Sequence, residues 1–412
     1  MTYPVCIVAA GLGSRLEGLT QKVNKAMVEV AGKPAICRII ERFPNETRFV
    51  VAIGYKGSLL QEFLKIAYPS TNFEFVEVFP YEGPDSGLGL SLLRCEGFLQ
   101  EPFIFTACDT LVDQSPPAPA KDWMGYSLKA DMNSYRTLGL RDGLVTQIYD
   151  KMESPPASNV AYIGLAGIHH YDQFWRQMNE LRDTSIRVGE VAGLDALIPL
   201  GVHAVPFGWH DTGTLASLHD ARKHYKNSEE ANILEKENEA IWFLNDEVIK
   251  YCDDQTFIKS RVARAKHLEG YVPCISRSSE HFYVYKKAVG SIFSSVVTPT
   301  KFNALLSHAE NFWEDIQLDP IESDEFNLAC FEFYKTKTDK RLEEFFVRYG
   351  LSDSAQEING EYVPTLQSML DSVDWQDVSR GIPSKFHGDF HFENILFNDD
   401  TKEFVYLDWR QD

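Results

Sequence analysis

A glycine-rich segment near the start of the chain has the residue types needed to bind a polyphosphate. The sequence AAGLGSRL follows directly on an apolar run, VCIVAA, which is typical of a β-strand. Gly11 and Gly13 would let backbone amides approach phosphate oxygens without obstruction by a side chain, with Ala10 and Arg15 beside them. A dinucleotide-binding fingerprint would place a third glycine where this chain has Leu16, so hydride-transfer chemistry is disfavoured.

The residues that follow make this pattern more specific. The stretch LTQKVNKAMVEVAGKPAI contains Lys25 and ends in a Gly-Lys-Pro turn. The order G-x-G-S-R, then K-x-M-x-x-x-x-G-K-P, resembles the signature of the nucleotidyltransferases that make nucleotide-sugars and CDP-activated alcohols. The resemblance implies that Arg15 and Lys25 bind a nucleoside triphosphate and offset the charge that develops at the attacked α-phosphate. A solvated surface lysine is the alternative interpretation of Lys25.

Two aspartates occupy positions that the resemblance assigns to magnesium. FTACDTLV contains Asp109 directly after an apolar strand, and WHDTGTLASLHDA, which contains Asp211, resembles the family's W-x-D-x-G-T segment. Two carboxylates from separate strand ends would supply the hard oxygen ligands that Mg²⁺ prefers, together with phosphate oxygens and water. A turn or cap position is the alternative for either residue.

Four further residues are predicted to contact the substrates. PYEGPDSGLGLSLL resembles the family's loop at the base, so Ser86 and Gly87 are candidates for nucleotide binding, with a plain helix start as the alternative. IYDKMESPP resembles the family's E-K-P stretch, in which Lys151 would hold the acceptor phosphate, but Asp150 replaces the glutamate and the proline is displaced. Glu190 is a candidate acceptor-side residue, and a solvated helix face is its alternative.

The resemblance implies a reaction as well as a site. A phosphomonoester oxygen would attack the α-phosphorus of a nucleoside triphosphate and release pyrophosphate. Catalysis would then depend on positioning, Mg²⁺ and cations, and no nucleophilic side chain is required. The G-S-R-L-x-x-L-T opening is most similar to the phosphocholine cytidylyltransferase branch, so CTP is the predicted nucleotide, with UTP and GTP left open. The acceptor would be a phosphorylated small alcohol, amino-alcohol or sugar.

A second group of chemistry-bearing residues lies near the end of the sequence. KFHGDFHFENILFNDDTKEFVYLDW contains His387, Gly388 and Asp389, then Asn394, then Asp408 after an apolar run. This is the order of a phosphotransfer loop, in which the first Asp orients a hydroxyl and the Asn and last Asp bind Mg²⁺. The segment resembles the aminoglycoside phosphotransferase and choline kinase family, which implies ATP as a second substrate.

The kinase-like half also departs from that family's pattern. Lys250, in EVIKYCDD, corresponds to the ATP-binding lysine, but no glycine lies between Lys226 and Lys250. Another backbone turn, near Ser228, would therefore have to bind the phosphates. Arg261 stands where a helix glutamate would pair with the lysine, and Glu269 is a weak substitute. The sequence stops soon after the last aspartate, whereas relatives continue, so slow kinase turnover is expected.

Two domains are predicted to position these residues. Strand-then-helix alternation indicates an α/β fold, and the resemblance implies a Rossmann-like, GT-A-like nucleotidyltransferase domain over 1–226, with a mixed sheet flanked by helices. The runs IWFLNDEVIKYC and HFYVYKKAVG are typical of antiparallel hairpin strands, and helical segments dominate about 300–373. We therefore expect an α+β protein-kinase-like domain over 227–412, with an N-lobe over about 227–295 and a partial C-lobe over about 296–412.

Composition limits the partners of the chain. Its 412 residues include 60 Asp and Glu against 40 Lys and Arg, and a net charge of −20 disfavours nucleic acid and anionic membranes. The seven cysteines are odd in number and never spaced C-x-x-C, which argues against a disulfide framework or a zinc site of that type. No leader or apolar run of roughly 20 residues is evident, so a cytoplasmic location is predicted. Oligomeric state is not indicated.

Three hypotheses about function remain open at this stage. The first is a bifunctional enzyme whose kinase-like half makes the phosphorylated acceptor and whose N-terminal half activates it, for cell-surface polysaccharide or lipid decoration. The second is a nucleotidyltransferase that uses UTP or GTP and a sugar 1-phosphate, with an inactive C-terminal scaffold. The third is a non-catalytic nucleotide sensor, which the intact set of Arg15, Lys25, Asp109 and Asp211 counts against.

Overall fold

The described chain divides into two compact units. The computed structural model describes residues 3–128, 134–151, 159–226 and 238–410. The first unit takes in the described residues up to Ala263 together with Cys274–Lys287, and the second takes in Arg264–Pro273 and Ala288–Arg410. The boundary near residue 226 stays a prediction, and the first unit continues beyond that point in the sequence.

Most strands of the first unit belong to one nine-stranded sheet. The strands, in chain order, are β1 (Pro4–Ala9), β2 (Glu29–Val30), β3 (Lys33–Pro34), β4 (Arg48–Ile53), β5 (Asn72–Glu77), β6 (Phe103–Ala107), β7 (Thr110–Val112), β8 (Trp123–Ser127), β9 (Thr137–Arg141), β10 (Leu144–Tyr149), β11 (Val160–Ile168), β12 (His203–Pro206), β13 (Trp209–Asp211), β14 (Glu239–Leu244), β15 (Glu247–Cys252), β16 (Ile275–Ser278) and β17 (Phe282–Lys286). The large sheet has the order β5-β4-β1-β6-β11-β8-β12-β10-β9. Strands β7 and β13 form a separate two-stranded ribbon.

The helices explain why this sheet is mixed. Those of the first unit are α1 (Ala35–Ile40), α2 (Gly57–Ala67), α3 (Leu88–Cys95), α4 (Tyr171–Glu180), α5 (Arg182–Val188), α6 (Val191–Asp195), α7 (Ile198–Gly201), α8 (Leu215–Tyr225) and α9 (Gln255–His267), the last of which continues into the second unit. A helix precedes each of β4, β5 and β6 and returns the chain to the same edge, so β5, β4, β1 and β6 are parallel. From β6 to β11 no helix intervenes among the described residues, and β11 pairs antiparallel with β6 and β8. The predicted mixed α/β fold is confirmed.

Both faces of the central strands are buried. Along β1, Val5 and Ile7 face one apolar cluster, while the alternate residues Cys6 and Val8 face a second cluster on the other side. A strand that is covered on both faces has a continuous apolar sequence because none of its side chains is exposed to solvent. The sequence motif at the end of β1 is therefore held by a rigid strand at the centre of the sheet.

A second, four-stranded sheet completes the first unit. Its order is β14-β15-β17-β16, with antiparallel neighbours throughout, which confirms the predicted hairpin strands. Trp242 of β14 packs against Phe63 of α2 with ring centroids 5.2 Å apart, and Phe282 of β17 lies 5.8 Å from the same ring. These aromatic contacts join the sheet to α2, and the strands, which were expected in the kinase-like half, belong to the first unit.

The second unit is mainly helical. Its strands and helices are β18 (Ser291–Ile292), α10 (Phe293–Val296), α11 (Pro299–Phe312), α12 (Pro320–Phe331), α13 (Lys337–Tyr349), β19 (Gln356–Ile358), β20 (Glu361–Val363), α14 (Leu366–Asp371), α15 (Trp375–Val378), β21 (Ile395–Phe397) and β22 (Phe404–Tyr406). The helical prediction for about 300–373 missed the β19–β20 hairpin. Asn359 and Gly360 both have positive φ there, as a two-residue hairpin turn requires. None of the described helices in either unit is both long and apolar enough to cross a membrane.

Candidate active site

The glycine-rich loop after β1 has one buried and one open side. Gly13 has φ 69°, and a Cβ there would lie 2.8 Å from the Cβ of Lys25, so this position requires glycine both for its conformation and for packing. Gly11 is exposed and a Cβ on it would meet nothing within 4 Å, whereas Ala10 is buried beneath it. The loop thus leaves open space at Gly11, where a phosphate is predicted to bind.

Asn24 fixes the position of Lys25, and sequence reasoning missed it. Its amide nitrogen donates to the carbonyl oxygens of Ala9 at 2.9 Å and Tyr55 at 2.7 Å, and its Oδ1 accepts from the amide of Ala26 at 2.9 Å. Asn24 is fully buried, so these hydrogen bonds tie the turn that begins at Lys25 to the end of β1. The sequence did contain one indication of this role, because asparagine is a favoured helix N-cap residue and Asn24 directly precedes Lys25.

Lys25 and Asp109 form an ion pair at the end of β6. The Lys25 Nζ lies 2.7 Å from Asp109 Oδ2, and the two side chains are only 17% and 18% exposed. Burial by itself would lower the pKa of Lys25, but the charge of Asp109 outweighs it and holds that pKa above its usual value. Burial likewise opposes ionisation of Asp109, and the charges of Lys25 and Arg15 overcome it, so the pKa of that carboxyl is lowered. Both groups are therefore charged across the neutral range.

Gly213 marks the point where three predicted residues converge. A Cβ at Gly213 would lie 3.0 Å from Asp109 Oδ2, 3.1 Å from Asp211 Oδ1 and 3.5 Å from Arg15 Nη2. The pairing of Asp211 with Thr110 across the β7–β13 ribbon brings the two carboxylates together. Both carboxylates thus approach the same glycine, and carboxylate oxygens are the ligands that a divalent cation such as Mg²⁺ takes. The structure therefore brings together Arg15, Asp109 and Asp211 as predicted.

Asp211 is held by groups that the sequence did not single out. Its Oδ1 accepts from the amide of Gly213 at 2.9 Å, and its Oδ2 accepts from the hydroxyl of Tyr135 at 3.2 Å. The Tyr135 ring packs edge-on against Trp209 with centroids 4.8 Å apart. Tyr135 lies 76 residues from Asp211 in the chain, and no motif surrounds it, so only the fold could identify it.

Ser86 and Gly87 have structural roles in the described chain. The Ser86 hydroxyl donates to the carbonyl of Gly83 at 2.7 Å and closes a turn. A Cβ on Gly87 would lie 2.5 Å from the carbonyl oxygen of Ile186, so glycine is needed where α3 begins beside α5. The helix begins after Gly87, and Ser86 belongs to the turn before it; contact of either residue with a nucleotide stays a prediction.

The two predicted acceptor-side residues differ in burial. Lys151 is exposed, whereas Glu190, for which a solvated helix face was the alternative, is 3% exposed at the N-terminal end of α6. Burial raises the pKa of the Glu190 carboxyl, and the neighbouring charge of Arg136 and the hydroxyl of Tyr162 oppose that effect only in part. Glu190 is thus a buried acid beside a cation, and Arg136 itself pairs with Asp150 at 2.9 Å.

Replacement of Glu190 by Gln should change how stability depends on pH. Because the folded-state pKa is raised, the contribution of Glu190 to stability is fully present below its unfolded value and is lost as pH rises through the folded value. Glu190→Gln has no charge to bury, so we expect its melting temperature to exceed that of the parent chain by about 2–4 °C at pH 8, with little difference at pH 4. Thermal unfolding at the two pH values measures this, with the exposed Glu180→Gln as control; equal shifts at both pH values would contradict it.

The second unit brings two residues of the kinase-like motif together. The Asn394 side-chain amide donates to the carbonyl oxygen of Asp389 at 3.0 Å and to its Oδ2 at 3.3 Å. The Asn394 carbonyl accepts from the amide of Leu407 at 2.7 Å, which places Asp408, the next residue, on the adjoining segment with φ 57°. A Cβ on Gly388 would lie 2.5 Å from Arg410 Cβ, so the motif's glycine allows these segments to approach.

Lys250 belongs to the first unit. It lies in β15 opposite Ile241 and Tyr283 and is 7% exposed. Arg261 is 4% exposed and its guanidinium lies 4.6 Å from the centroid of the Phe257 ring. Ser228, near which a phosphate-binding turn was predicted, lies outside the described residues. The role of Lys250 in binding ATP stays a prediction.

The comparisons with known proteins concern the N-terminal part of the chain. Residues 5–115 match the MobA-like NTP transferase domain family. The chain is 31% identical over 118 residues to the bifunctional IPC transferase and DIPP synthase of Aquifex aeolicus, covering 28% of this chain and 26% of that protein. It is 25% identical over 167 residues to the UTP–glucose-1-phosphate uridylyltransferase AglF of Haloferax volcanii, covering 37% of this chain and 67% of that protein.

Solved structures similar to the chain include a CTP:phosphocholine cytidylyltransferase from Streptococcus pneumoniae. The identity is 17% and the TM-score 0.45, over 55% of this chain and 100% of that chain. The chain spans 26% of the first curated relative, so that protein's whole activity does not transfer to it. The predicted resemblance to nucleotidyltransferases is confirmed over residues 5–115, the segment that matches the family model and contains Arg15, Lys25 and Asp109.

Proposed function

We propose that the first unit is a magnesium-dependent nucleotidyltransferase that joins a nucleoside monophosphate to a small phosphomonoester and releases pyrophosphate. The observation that carries the proposal is the convergence of Arg15, Asp109 and Asp211 beside Gly213, with Lys25 paired to Asp109. The match of residues 5–115 to an NTP transferase domain supports the same chemistry.

Each residue has a physical role in this proposal. The open face at Gly11 admits the triphosphate to the backbone amides after β1, where no side chain obstructs it. Arg15 and Lys25 offset the negative charge that develops on the α-phosphate during attack. Asp109 and Asp211 would hold Mg²⁺, which when bound neutralises phosphate charge. Tyr135 is a positioning residue, since its hydroxyl orients the Asp211 carboxylate.

The proposal also specifies which nucleotide and which acceptor the enzyme uses. CTP remains our first choice because of the G-S-R-L-x-x-L-T opening, with UTP or GTP as alternatives. The name of the Haloferax relative, a uridylyltransferase of glucose 1-phosphate, supports UTP and a sugar 1-phosphate as the second candidate pair. Lys151 would contact the acceptor phosphate, and Glu190 would lie on the acceptor side.

A pyrophosphate-release screen tests this proposal directly. Four nucleoside triphosphates are each incubated with phosphocholine, phosphoethanolamine, glycerol phosphates or sugar 1-phosphates in the presence of Mg²⁺. We expect release with one nucleotide and one acceptor class, and loss of release on addition of EDTA. Nucleotide binding without release for any pair would favour the sensor and overturn the enzyme.

The second part of the proposal assigns small-molecule phosphorylation to the chain's C-terminal residues, with ATP and Mg²⁺. The hydrogen bond between Asn394 and Asp389, and the bond between Asn394 and Leu407 beside Asp408, support it because a phosphotransfer loop carries these residues on neighbouring segments. Asp389 would orient the acceptor hydroxyl, and Asn394 and Asp408 would hold the metal.

Substitution of Asp389 tests this second activity. Asp389→Asn should lower ATP consumption with choline, ethanolamine or sugars by at least about 100-fold, because the group that orients and accepts the proton of the hydroxyl is lost. The control is Asp400→Asn, an exposed residue of the β21–β22 turn, which should leave the rate unchanged. Equal rates for Asp389→Asn and the parent chain would leave the C-terminal residues as a scaffold.

A further inference from the structure

One cluster of side chains in the first unit lies outside the proposed active site and has the composition of a metal centre. It consists of Asp113, which follows β7, His210 in β13 and His224 in the last turn of α8. The three ligand atoms all lie within 4.8 Å of one another. We propose that these residues form a binding site for a zinc-type transition metal ion, which none of the sequence motifs indicated.

The two distances from the imidazoles to the carboxylate fit a tetrahedral centre. His210 Nε2 lies 3.1 Å from Asp113 Oδ1, and His224 Nε2 lies 3.3 Å from the same oxygen. In a tetrahedral zinc site with bonds of roughly 2.0–2.2 Å, neighbouring ligand atoms are about 3.3 Å apart. The two imidazole rings are stacked, with centroids 3.8 Å apart and an angle of 24° between their planes, and each Nε2 lies within 3.3 Å of the same carboxylate oxygen. Because the lone pair of an imidazole nitrogen lies in the plane of the ring, one of the stacked rings must rotate before both Nε2 atoms can bind the same ion.

The fold holds the carboxylate of Asp113 in place. Its amide donates to the carbonyl of Gly208 at 3.0 Å, and its own carbonyl accepts from the guanidinium of Arg42 at 2.9 Å. A Cβ on Gly208 would lie 2.3 Å from Asp113 Oδ2, so glycine at that position leaves room for the carboxylate. A ligand positioned before the metal arrives lowers the entropy cost of binding.

This centre is separate from the proposed magnesium site. Successive side chains of a strand point to opposite faces, so His210 points away from the side on which Asp211 faces Gly213. Two imidazoles and one carboxylate favour zinc, cobalt or nickel over Mg²⁺, which prefers oxygen ligands. Asp113 and His224 are 37% and 47% exposed, so water can complete the coordination.

A second cluster in the same unit is less suited to a metal. It contains Glu62, Glu280 and His281, but offers one imidazole instead of two. Both oxygens of Glu62 are already bonded to His281, one to its amide and one to its ring, each at 2.8 Å. These bonds join α2 to the turn before β17 without a metal ion, so we assign this cluster a structural role.

Metal binding would restrain the β7–β13 ribbon next to the proposed active site. A metal ion held by the three residues would cross-link β7, β13 and α8, and the same ribbon carries Asp211 and begins next to Asp109. Binding to the folded state alone stabilises it by mass action. We expect Zn²⁺ to raise the melting temperature of the whole chain.

Cobalt and zinc titrations of the full chain test the site. Excess Mg²⁺ is present throughout, so that the oxygen ligands of Asp109 and Asp211 are occupied. We expect the visible absorption of tetrahedral Co²⁺, one Zn²⁺ bound per chain in equilibrium dialysis, and a rise in melting temperature with Zn²⁺. Absence of the absorption band, or of tight Zn²⁺ binding, would overturn the proposal.

Variants locate the ion. His224→Gln should weaken Zn²⁺ binding by at least about 100-fold, since the loss of even an outer-shell partner costs roughly 10- to 100-fold. His219→Gln, on the exposed side of the same helix, is the matched control and should bind as the parent chain does. Equal affinity of His224→Gln and the parent, or loss of Zn²⁺ binding in Asp109→Asn, would place the ion elsewhere and overturn the proposal. His224 is half exposed at a helix end, so its replacement leaves the core intact.

Discussion

Asp109→Asn is expected to lower the rate of pyrophosphate release by on the order of 10³-fold, which makes it the most damaging single change at the proposed site. The amide removes one of the two carboxylates beside Gly213 and leaves Lys25 without the partner that holds its side chain at 2.7 Å. Steady-state rates over a Mg²⁺ titration measure the effect. We expect higher concentrations of Mg²⁺ to restore only a small part of the activity.

Two controls separate chemistry from folding in this experiment. Asp220→Asn, an exposed residue of α8, should release pyrophosphate at the parent rate. ATP consumption that depends on Asp389 should persist in Asp109→Asn, because the two residues belong to different units. Loss of both activities would indicate a shared site or a folding defect, and full pyrophosphate release would refute the role of Asp109.

Lys25→Gln is expected to lower both activity and stability. The activity should fall about 10²- to 10³-fold, as it does when one fixed donor to a developing charge is removed. The free energy of unfolding at neutral pH should fall by about 3 kcal/mol, because Asp109 is then a largely buried carboxylate without its cation. Chemical denaturation and pyrophosphate release measure the two effects on the same preparation.

The double variant Lys25→Gln/Asp109→Asn distinguishes these effects. It removes both charges, so part of the stability lost in Lys25→Gln should return while the activity stays low. Lys33→Gln, which breaks an exposed pair with Glu41, is the control and should change neither quantity by more than about 1 kcal/mol or twofold. Recovery of activity in the double variant would show that Lys25 acts only by neutralising Asp109.

The pH dependence of the pair follows from the directions of the two pKa values. The pKa of Lys25 is raised, so its contribution to stability is complete below the usual lysine value and is lost as pH rises beyond it. The pKa of Asp109 is lowered, so its contribution is complete above the usual aspartate value and is lost only in stronger acid. Neither group changes charge near neutrality, so a limb of the pH–rate profile there would come from another residue or from the phosphate of the acceptor, whose second pKa is about 6.

Motifs and the resemblance that they carry were sufficient to select several residues that the structure brings together. Gly13, Lys25 and Asp109 each lie at the end of a strand or in a turn that short-range sequence determines, and the structure places them as the motifs indicated. The mixed sheet was implied by the resemblance, and the structure gives its reason, because helices return the chain only between the early strands. The β19–β20 hairpin was missed since its strands have three residues each and Asn359-Gly360 was not weighed as a turn.

Residues that act through distant partners could not be predicted in the same way. Asn24 contacts Tyr55, and Tyr135 contacts Asp211, across gaps of 31 and 76 residues. Glu190 could equally have been a solvated helix residue, because sequence spacing alone does not show that α6 begins in a buried position. In each case the missing information was which elements become neighbours.

The sequence by itself determined which chemical groups are present: a glycine-rich loop, several cations and carboxylates, and the strands and helices that carry them. These are consequences of residue type and of the short periods of strands and helices, which neighbouring residues decide. Only the tertiary structure decided that Lys25 contacts Asp109, from which it is separated by 84 residues in the chain. The same is true of Asp113, His210 and His224, whose ligand atoms lie within 4.8 Å of one another. Such contacts depend on strand order and register, which the packing of the whole sheet sets.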